Sequence, residues 1–221
     1  MTACSDVPAT LAVYLVDGDH LVRAGLRSLI ESTEGGRVVG EHDNARAAIA
    51  EIAEVVPDVV MLEVALPELS GLDAIRLVKQ ASPRSRVVMV AQQVAAHSVQ
   101  HALDAGADGF VAKRSEPEEL GEALRAVTRG ERHLCPIAAE TLTVAVRDGR
   151  PPRSRVDRLT PREREVFLML AVGKTNKEVA SALHVSLSTV KKHRENLQRK
   201  LDCHSSAELA RLAVREGLTT L

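Results

Sequence analysis

Aromatic residues are almost missing from this sequence. Its 221 residues include one Tyr, two Phe and no Trp. The core therefore has to be built from Leu, Val, Ile and Ala, and single-strand nucleic-acid binding through aromatic stacking platforms is disfavoured. Cysteine is scarce as well. Cys4, Cys135 and Cys203 are odd in number and widely scattered, with no CxxC or metal-ligand spacing. Unpaired thiols in a reducing cytosol are the simplest account, and neither a metal site nor a cofactor is expected. Long apolar runs are also lacking. The first, Leu11–Val16, is too short for a secretory signal and has no basic leader. No window approaches the roughly 18–20 apolar residues of a membrane span. The expectation is a soluble, cytoplasmic protein with no membrane partner.

What is present divides in two. The hydrophobic fraction of 45% is ordinary for a globular chain, and the length suits one large or two modest domains. The net charge of −1 hides an asymmetry: residues 1–146 carry 13 Lys and Arg against 21 Asp and Glu, and residues 147–221 carry 16 against 9. An acidic half joined to a basic half implies that the basic half meets a polyanion.

The acidic half alternates two kinds of segment. Short β-rich runs at 11–16, 38–40, 59–64, 87–90 and 109–112 are separated by amphipathic stretches near 22–31, 44–56, 71–80, 95–105 and 117–129. The runs Val59-Val60-Met61-Leu62 and Val87-Val88-Met89-Val90 are apolar at every position, as strands buried on both faces are. This predicts a doubly wound, five-stranded parallel α/β domain over 9–131. Ser115 followed by Glu118 has the form of a capping box opening its last helix. A linker over 132–156 follows, with some helical character from 134 to 146. It ends in a Gly-, Pro- and Arg-rich stretch from Arg147 to Arg155 that cannot continue a helix. From 157 to 221 the pattern predicts an all-α domain of four helices. Thr160 with Pro161 and Glu163 opens the first and Gly173 ends it; Ser205 with Glu208 opens the last.

Within the basic half, 177–193 has the form of a helix-turn-helix. Val179, Leu183, Val185 and Val190 are apolar where two crossed helices must pack, and Ala180 is small where they must approach. The second helix of such a motif enters the major groove. On it, Val190, Leu197 and Leu201 make an inward stripe. Ser188, Lys192, Glu195 and Arg199 make an outward one beside Lys191 and Asn196. A basic outward stripe suits guanine edges and phosphates.

Three stretches carry a family resemblance: Leu159-Thr-Pro-Arg-Glu-Arg-Glu-Val166, Gly173-Lys-Thr-Asn-Lys-Glu-Val-Ala180 and Ser188-Thr-Val-Lys-Lys-His-Arg194 with Arg199-Lys-Leu201. They resemble the LuxR/NarL/FixJ-type effector domain. The resemblance implies that Lys191, Lys192 and Arg194 approach DNA, with phosphate contacts near Thr175, Asn176, Lys177 and Thr189. It also implies dimeric binding to two half-sites of double-stranded DNA, often paired through the last helix. Glu195 departs from relatives that carry Lys there, and it is assigned no role.

Residues 11–130 resemble a flavodoxin-like response-regulator receiver. The carrying features are Leu15-Val-Asp17, Pro57-Asp-Val-Val-Met-Leu62 with Leu66-Pro67, Ala105-Gly-Ala-Asp-Gly-Phe-Val-Ala-Lys113 and Pro117-Glu-Glu-Leu120. Such a receiver holds Mg²⁺ on two acids after strand one and phosphorylates an Asp after strand three. It senses the product with a Ser or Thr after strand four and a Lys after strand five. Here Asp17 is kept but its neighbour is Gly18, the acceptor position is Glu63 and the hydroxyl position is Ala91. Lys113 is retained, with Phe110 as the switch aromatic. The longer Glu63 misaligns an in-line attack, and Mg²⁺ loses an oxygen ligand. Asp58 is no substitute acceptor, because it lies roughly 17 Å away at the other end of the strand.

Taken together, these residues predict an atypical regulator that binds DNA, is not an enzyme, and is controlled without aspartyl phosphorylation. Its control is expected through homodimerisation, a heterodimer with another response regulator, or a small-molecule ligand. Glu63 either mimics a permanent phosphoryl charge or forms a structural pair with Lys113. A heterodimer subunit that selects DNA only with a partner is the first rival. An enzyme using Glu63 and Lys113 is the second, but no nucleophile–base pair or phosphate-cradling loop is visible. His20, His42, His97 and His101 do not cluster as ligands and are taken as surface polar groups.

Overall fold

A computed structural model describes residues 10–149, 154–216 and 218–219. The first half alternates as the apolar pattern requires: β1 (Leu11–Val16), α1 (His20–Ser32), β2 (Gly36–His42), α2 (Ala45–Val55), β3 (Val59–Glu63), α3 (Gly71–Ala81), β4 (Arg86–Ala91), α4 (Ala96–Ala105), β5 (Gly109–Ala112) and α5 (Pro117–Thr128). All pairings are parallel, and β3 and β5 are buried at every residue because helices cover both faces of the sheet.

The sheet has six strands, not the expected five. Its order is β2-β1-β3-β4-β5-β6, and β6 is the dipeptide His133–Leu134 laid along β5. Two residues are too few to show a period, so sequence reading passes over them. β6 hands the chain to α6 (Pro136–Arg147), which packs on α4.

Helix starts are chemically marked. Asp19, Asn44 and Ser70 each accept backbone N–H groups at the starts of α1, α2 and α3. The expected capping box at Ser115 does not form. Pro117 occupies the first helical position, so the cap falls on Glu116, which makes no side-chain cap bond. Among the described residues the buried Ser115 hydroxyl has no hydrogen-bond partner.

Tyr14 shapes the β1–β2 edge. Its ring lies where a side chain at Gly40 would stand, with a Cβ there only 2.4 Å away, and the β1–β2 register slips between Val13 and Tyr14. The fully buried phenol donates to Glu51 of α2 at 2.5 Å. Burial, with that carboxylate beside it, holds the phenol well above its usual range.

The second half begins with a capped 3-10 turn at Arg155–Arg158. It continues as α7 (Pro161–Ala171), α8 (Asn176–Ala182), α9 (Leu187–Leu201) and α10 (Ser206–Arg215). Capping boxes form at Thr160 with Glu163, Thr175 with Glu178, and Ser205 with Glu208. Gly173, at φ 87°, follows α7 in the left-handed conformation that closes a helix. Phe167, Val179, Val190, Leu197 and Leu209 form the core. Of the expected basic linker, residues 150–153 lie outside the described residues, as does Cys4. Cys135 is a buried free thiol, and Cys203 is buried with its Sγ 3.6 Å from the Leu201 carbonyl. Among the described residues, no helix is long and apolar enough to cross a membrane.

The two halves pack together. The loop after β3 meets α7 and Leu218 around a mostly apolar cleft of about 200 Å³, lined by Leu66, Pro67, Met169 and Val172 among others. Arg46 pairs with Glu165 across this seam, and Asp73 with Arg164 at 3.3 Å.

Candidate nucleic-acid interface and the pocket above the sheet

The helix-turn-helix is built by α8 and α9. Val179 and Val190 are fully buried between them, and Ala180 lets them approach. The reversal uses His184 at φ 51°, a left-handed position between the helices. Ser186 caps α9, accepting the Thr189 N–H at 3.1 Å, and its hydroxyl also contacts those of Ser188 and Thr189.

α9 sorts its faces as its sequence does. Val190, Leu197 and Leu201 are completely buried. Ser188, Lys191, Lys192, Glu195 and Arg199 are exposed, while Thr189 is half-buried. Arg199 is steadied by Asn196 Oδ1 at 3.2 Å. At the start of α8, Lys177 is exposed and Thr175 is locked by its capping box with Glu178. The Thr175 backbone N–H and hydroxyl hold the Glu178 carboxyl below its usual range.

Arg194 is placed differently from its neighbours. It is half-buried, donating to Asn176 Oδ1 at 3.1 Å and to Ser206 Oγ at 3.3 Å. It therefore ties α9 to the starts of α8 and α10. Lys200 reaches Glu163 of α7 at 2.5 Å, fixing the opposite end of α9.

The second site lies beyond the C-terminal ends of the strands, where ligands of open α/β sheets bind. Asp17 follows β1, Glu63 ends β3, Ala91 ends β4 and Lys113 follows β5, so the fold brings all four together. Lys113 Nζ lies 2.7 Å from Asp17 Oδ2 and 2.5 Å from Glu63 Oε1. The other Glu63 oxygen accepts the Gly18 N–H at 2.9 Å. All three charged side chains are at most 8% exposed. One ammonium thus serves two carboxylates. Burial pushes the Glu63 carboxyl above its ordinary range, and the neighbouring Asp17 adds to that, against Lys113 and the Gly18 N–H.

Ala91 is buried and offers no hydroxyl, and Phe110 is fully buried within the core. Asp19 is engaged in capping α1. Asp58 stands at the far end of β3, accepting the Ala12 N–H at 2.8 Å. Arg23 was not singled out in the sequence, yet it donates to the Asp17 carbonyl at 2.7 Å and steadies the loop. Its sequence signal is its place in the stretch Leu21–Leu26, part of the receiver resemblance, where no role is assigned to it.

Sequence reading also missed the groups of the seam. His97 and His101 are half-buried against the second half and are not simple surface groups. Arg164 is 6% exposed between Asp73 and Asp157. Among the described residues, no three His, Cys, Asp or Glu side chains group as a metal site would need.

Comparison with known proteins matches both halves. Residues 13–125 fit the family described as "Response regulator receiver domain". Residues 157–213 fit "Bacterial regulatory proteins, luxR family". The Staphylococcus aureus "Response regulator protein VraR" is 30% identical over 210 residues, covering 95% of this chain and 99% of that one. A LuxR-family two-component response regulator from Aurantimonas sp. SI85-9A1 aligns at TM-score 0.60 and 33% identity, over 62% of this chain and 98% of that one. RcsB from Salmonella enterica serovar Typhimurium, solved on promoter rprA with phosphomimetic BeF3-, aligns at TM-score 0.65 over 92% of this chain and 98% of that one. At 22% identity that last likeness speaks for the fold alone.

Proposed function

The chain belongs to the response regulators that carry a LuxR-type DNA-binding domain, and from that membership we propose that it is a sequence-specific transcriptional regulator whose receiver operates without aspartyl phosphorylation. The observation that carries this reading is that the fold brings together Glu63 at the end of β3, Ala91, which has no hydroxyl, at the end of β4, and Gly18, which has no carboxylate, beside Asp17. Phosphoryl transfer needs an acceptor oxygen placed for in-line attack, and Mg²⁺ needs oxygen ligands around it. Here the lysine and the Gly18 N–H already hold the Glu63 carboxylate, and Ala91 cannot bond a phosphoryl oxygen. The short, covered Glu63–Lys113 contact favours the structural pair over a free charge standing in for a phosphoryl group.

DNA is read by α9. Lys192 and Arg199 on its open face reach base edges, with Ser188, Thr189 and Lys191 beside them. Thr175, Asn176 and Lys177 set register on phosphates. Arg194 acts by holding Asn176 in place. Double-stranded DNA is the partner, and the protein binds it as a homodimer. RcsB has been solved as two dimers on two parallel DNAs. We assign the receiver to residues 9–131 and the effector to 157–221, with no enzymatic role for either. A second reading, a subunit that binds DNA only with another regulator, is separated by experiment.

Two measurements test this. Incubation with a small phosphodonor and Mg²⁺ should leave the intact mass unchanged, and a stoichiometric phosphoryl adduct would refute the pocket assignment. Selection from a random duplex pool by the purified full chain should enrich an inverted repeat. Folded protein that enriches nothing would shift the reading to the partner-dependent subunit.

A further inference from the structure

The outward face of α9 carries one anion among its cations. Glu195 stands three residues after Lys192, four after Lys191 and four before Arg199, so all three cations are its helical neighbours. With Arg199 it has the acid-before-base order that suits an i, i+4 ion pair best. Yet among the described residues the Glu195 carboxylate pairs with none of them. Arg199 turns instead to Asn196 Oδ1 at 3.2 Å, Arg194 to Asn176 and Ser206, and Lys200 to Glu163. Glu195, Lys191 and Lys192 all stand exposed.

This carboxylate neither caps its helix nor pairs with a neighbour. It lies in the third turn of a 15-residue helix, clear of the first turn, where the helix dipole favours an anion. Facing DNA, it opposes the attraction of the basic face for phosphates. It gains there only where a base offers it a donor, because a carboxylate accepts hydrogen bonds and does not donate them. The four major-groove edges then differ. Guanine presents N7 and O6, thymine presents O4, and adenine presents N7 beside its amino group, so each sets an acceptor against the carboxylate. Cytosine presents its N4 amino group as a donor and no acceptor.

We propose that Glu195 is a specificity-determining residue, which accepts a hydrogen bond from the N4 amino group of one cytosine in each half-site. The inference rests on α9 being the reading helix. Three residues of helix rise about 4.5 Å, against about 3.4 Å for one base-pair step. The cytosine therefore lies in the same base pair as the Lys192 target or in the next one. The two side chains divide the edges by sign: the ammonium of Lys192 donates to guanine acceptors, and the carboxylate of Glu195 accepts from cytosine. Glu195 sharpens selection in two ways, by disfavouring the other three bases at its position and by loosening the hold on unrelated DNA.

Selection from a random duplex pool and competition titration of the full chain, beside Glu195→Ala, Glu195→Gln and Lys192→Ala, test this role. Far-UV circular dichroism checks that every variant is folded. Wild type should select a half-site with a fixed cytosine, and replacing that cytosine should weaken binding about fivefold or more, the low end for a good base contact. Glu195→Ala should lose the preference at that position alone. Glu195→Gln should move it to adenine, whose N6 and N7 match the donor and acceptor of an amide. On an unrelated duplex in low salt, Glu195→Ala should bind about twofold to threefold tighter than wild type, the scale of one exposed charge interaction, and the gain should shrink as salt rises. That measurement needs no selected site. Base preferences unchanged in Glu195→Ala, or an unrelated duplex held equally by both proteins, would overturn the role. If Lys192→Ala alters the selected site and Glu195→Ala does not, the Glu195 role alone falls. If neither alters it, the assignment of α9 falls as well.

Discussion

Lys113 has two carboxylates to satisfy, and the arithmetic leaves one negative charge over in a covered pocket. The folded state holds the Glu63 proton more tightly than the unfolded chain does, because burial raises its carboxyl above the ordinary range. Stability attached to Glu63 therefore increases as pH falls, and urea midpoints should show wild type gaining on a Glu63→Gln variant between pH 7 and pH 5. Asp108 has the opposite sign. Burial opposes its ionisation, but Lys79, the Val87 N–H and Arg86 outweigh it and hold its carboxyl low. Its contribution is present above the unfolded carboxylate range and is lost as pH drops through the folded value. An Asp108→Asn variant should lose about 1.5–3 kcal/mol at pH 7, and less on acidification, in the same titration. The pocket's members were legible in the sequence because Asp17, Glu63, Ala91 and Lys113 each stand at the end of an apolar run. That a single ammonium bridges two of them was not legible, since it depends on side-chain reach across three strands.

Capping chemistry explains which elements could be read in advance. Thr160 and Ser205 each had an acid three residues on and no competing proline, and both boxes formed. Ser115 had its acid too, but Pro117 fixed the first helical residue one place later and took the helix start with it. β6 was invisible because its two residues are held by β5, not by any pattern of their own. The start of α3 was legible at Gly71, but the reason for glycine was not. A Cβ there would fall 1.8 Å from the Glu63 carbonyl oxygen. Gly71→Ala should therefore cost about 3 kcal/mol or more in denaturant unfolding and displace the pocket carboxylate with it. An undiminished midpoint would mean that the loop after β3 can yield.

The division into an acidic and a basic half was readable from charge alone, and it maps onto the two packed domains. The seam between them was not readable. Arg46 with Glu165, and His97 with Glu216, are each 119 residues apart, and local periodicity says nothing about such pairs. DNA binding should follow the same division. Lys177→Ala should weaken binding about equally on all sequences and lower the salt slope by roughly one counterion. Lys192→Ala should relax base choice and cost about 1–3 kcal/mol on the preferred site, read by titration at several salt concentrations. Equal behaviour of the two variants would contradict the assignment of α9 as the reading helix. The lone tyrosine carries a separate, optical consequence. With no Trp anywhere and Tyr14 sealed in the receiver against Glu51, emission excited above the phenylalanine absorption band comes from one ring in one domain. That emission is quenched while the phenol is bonded to a carboxylate and brightens when the receiver melts, whatever the effector is doing. Far-UV dichroism counts the helices of both, so the gap between the two signals times the unfolding of each half without any introduced label.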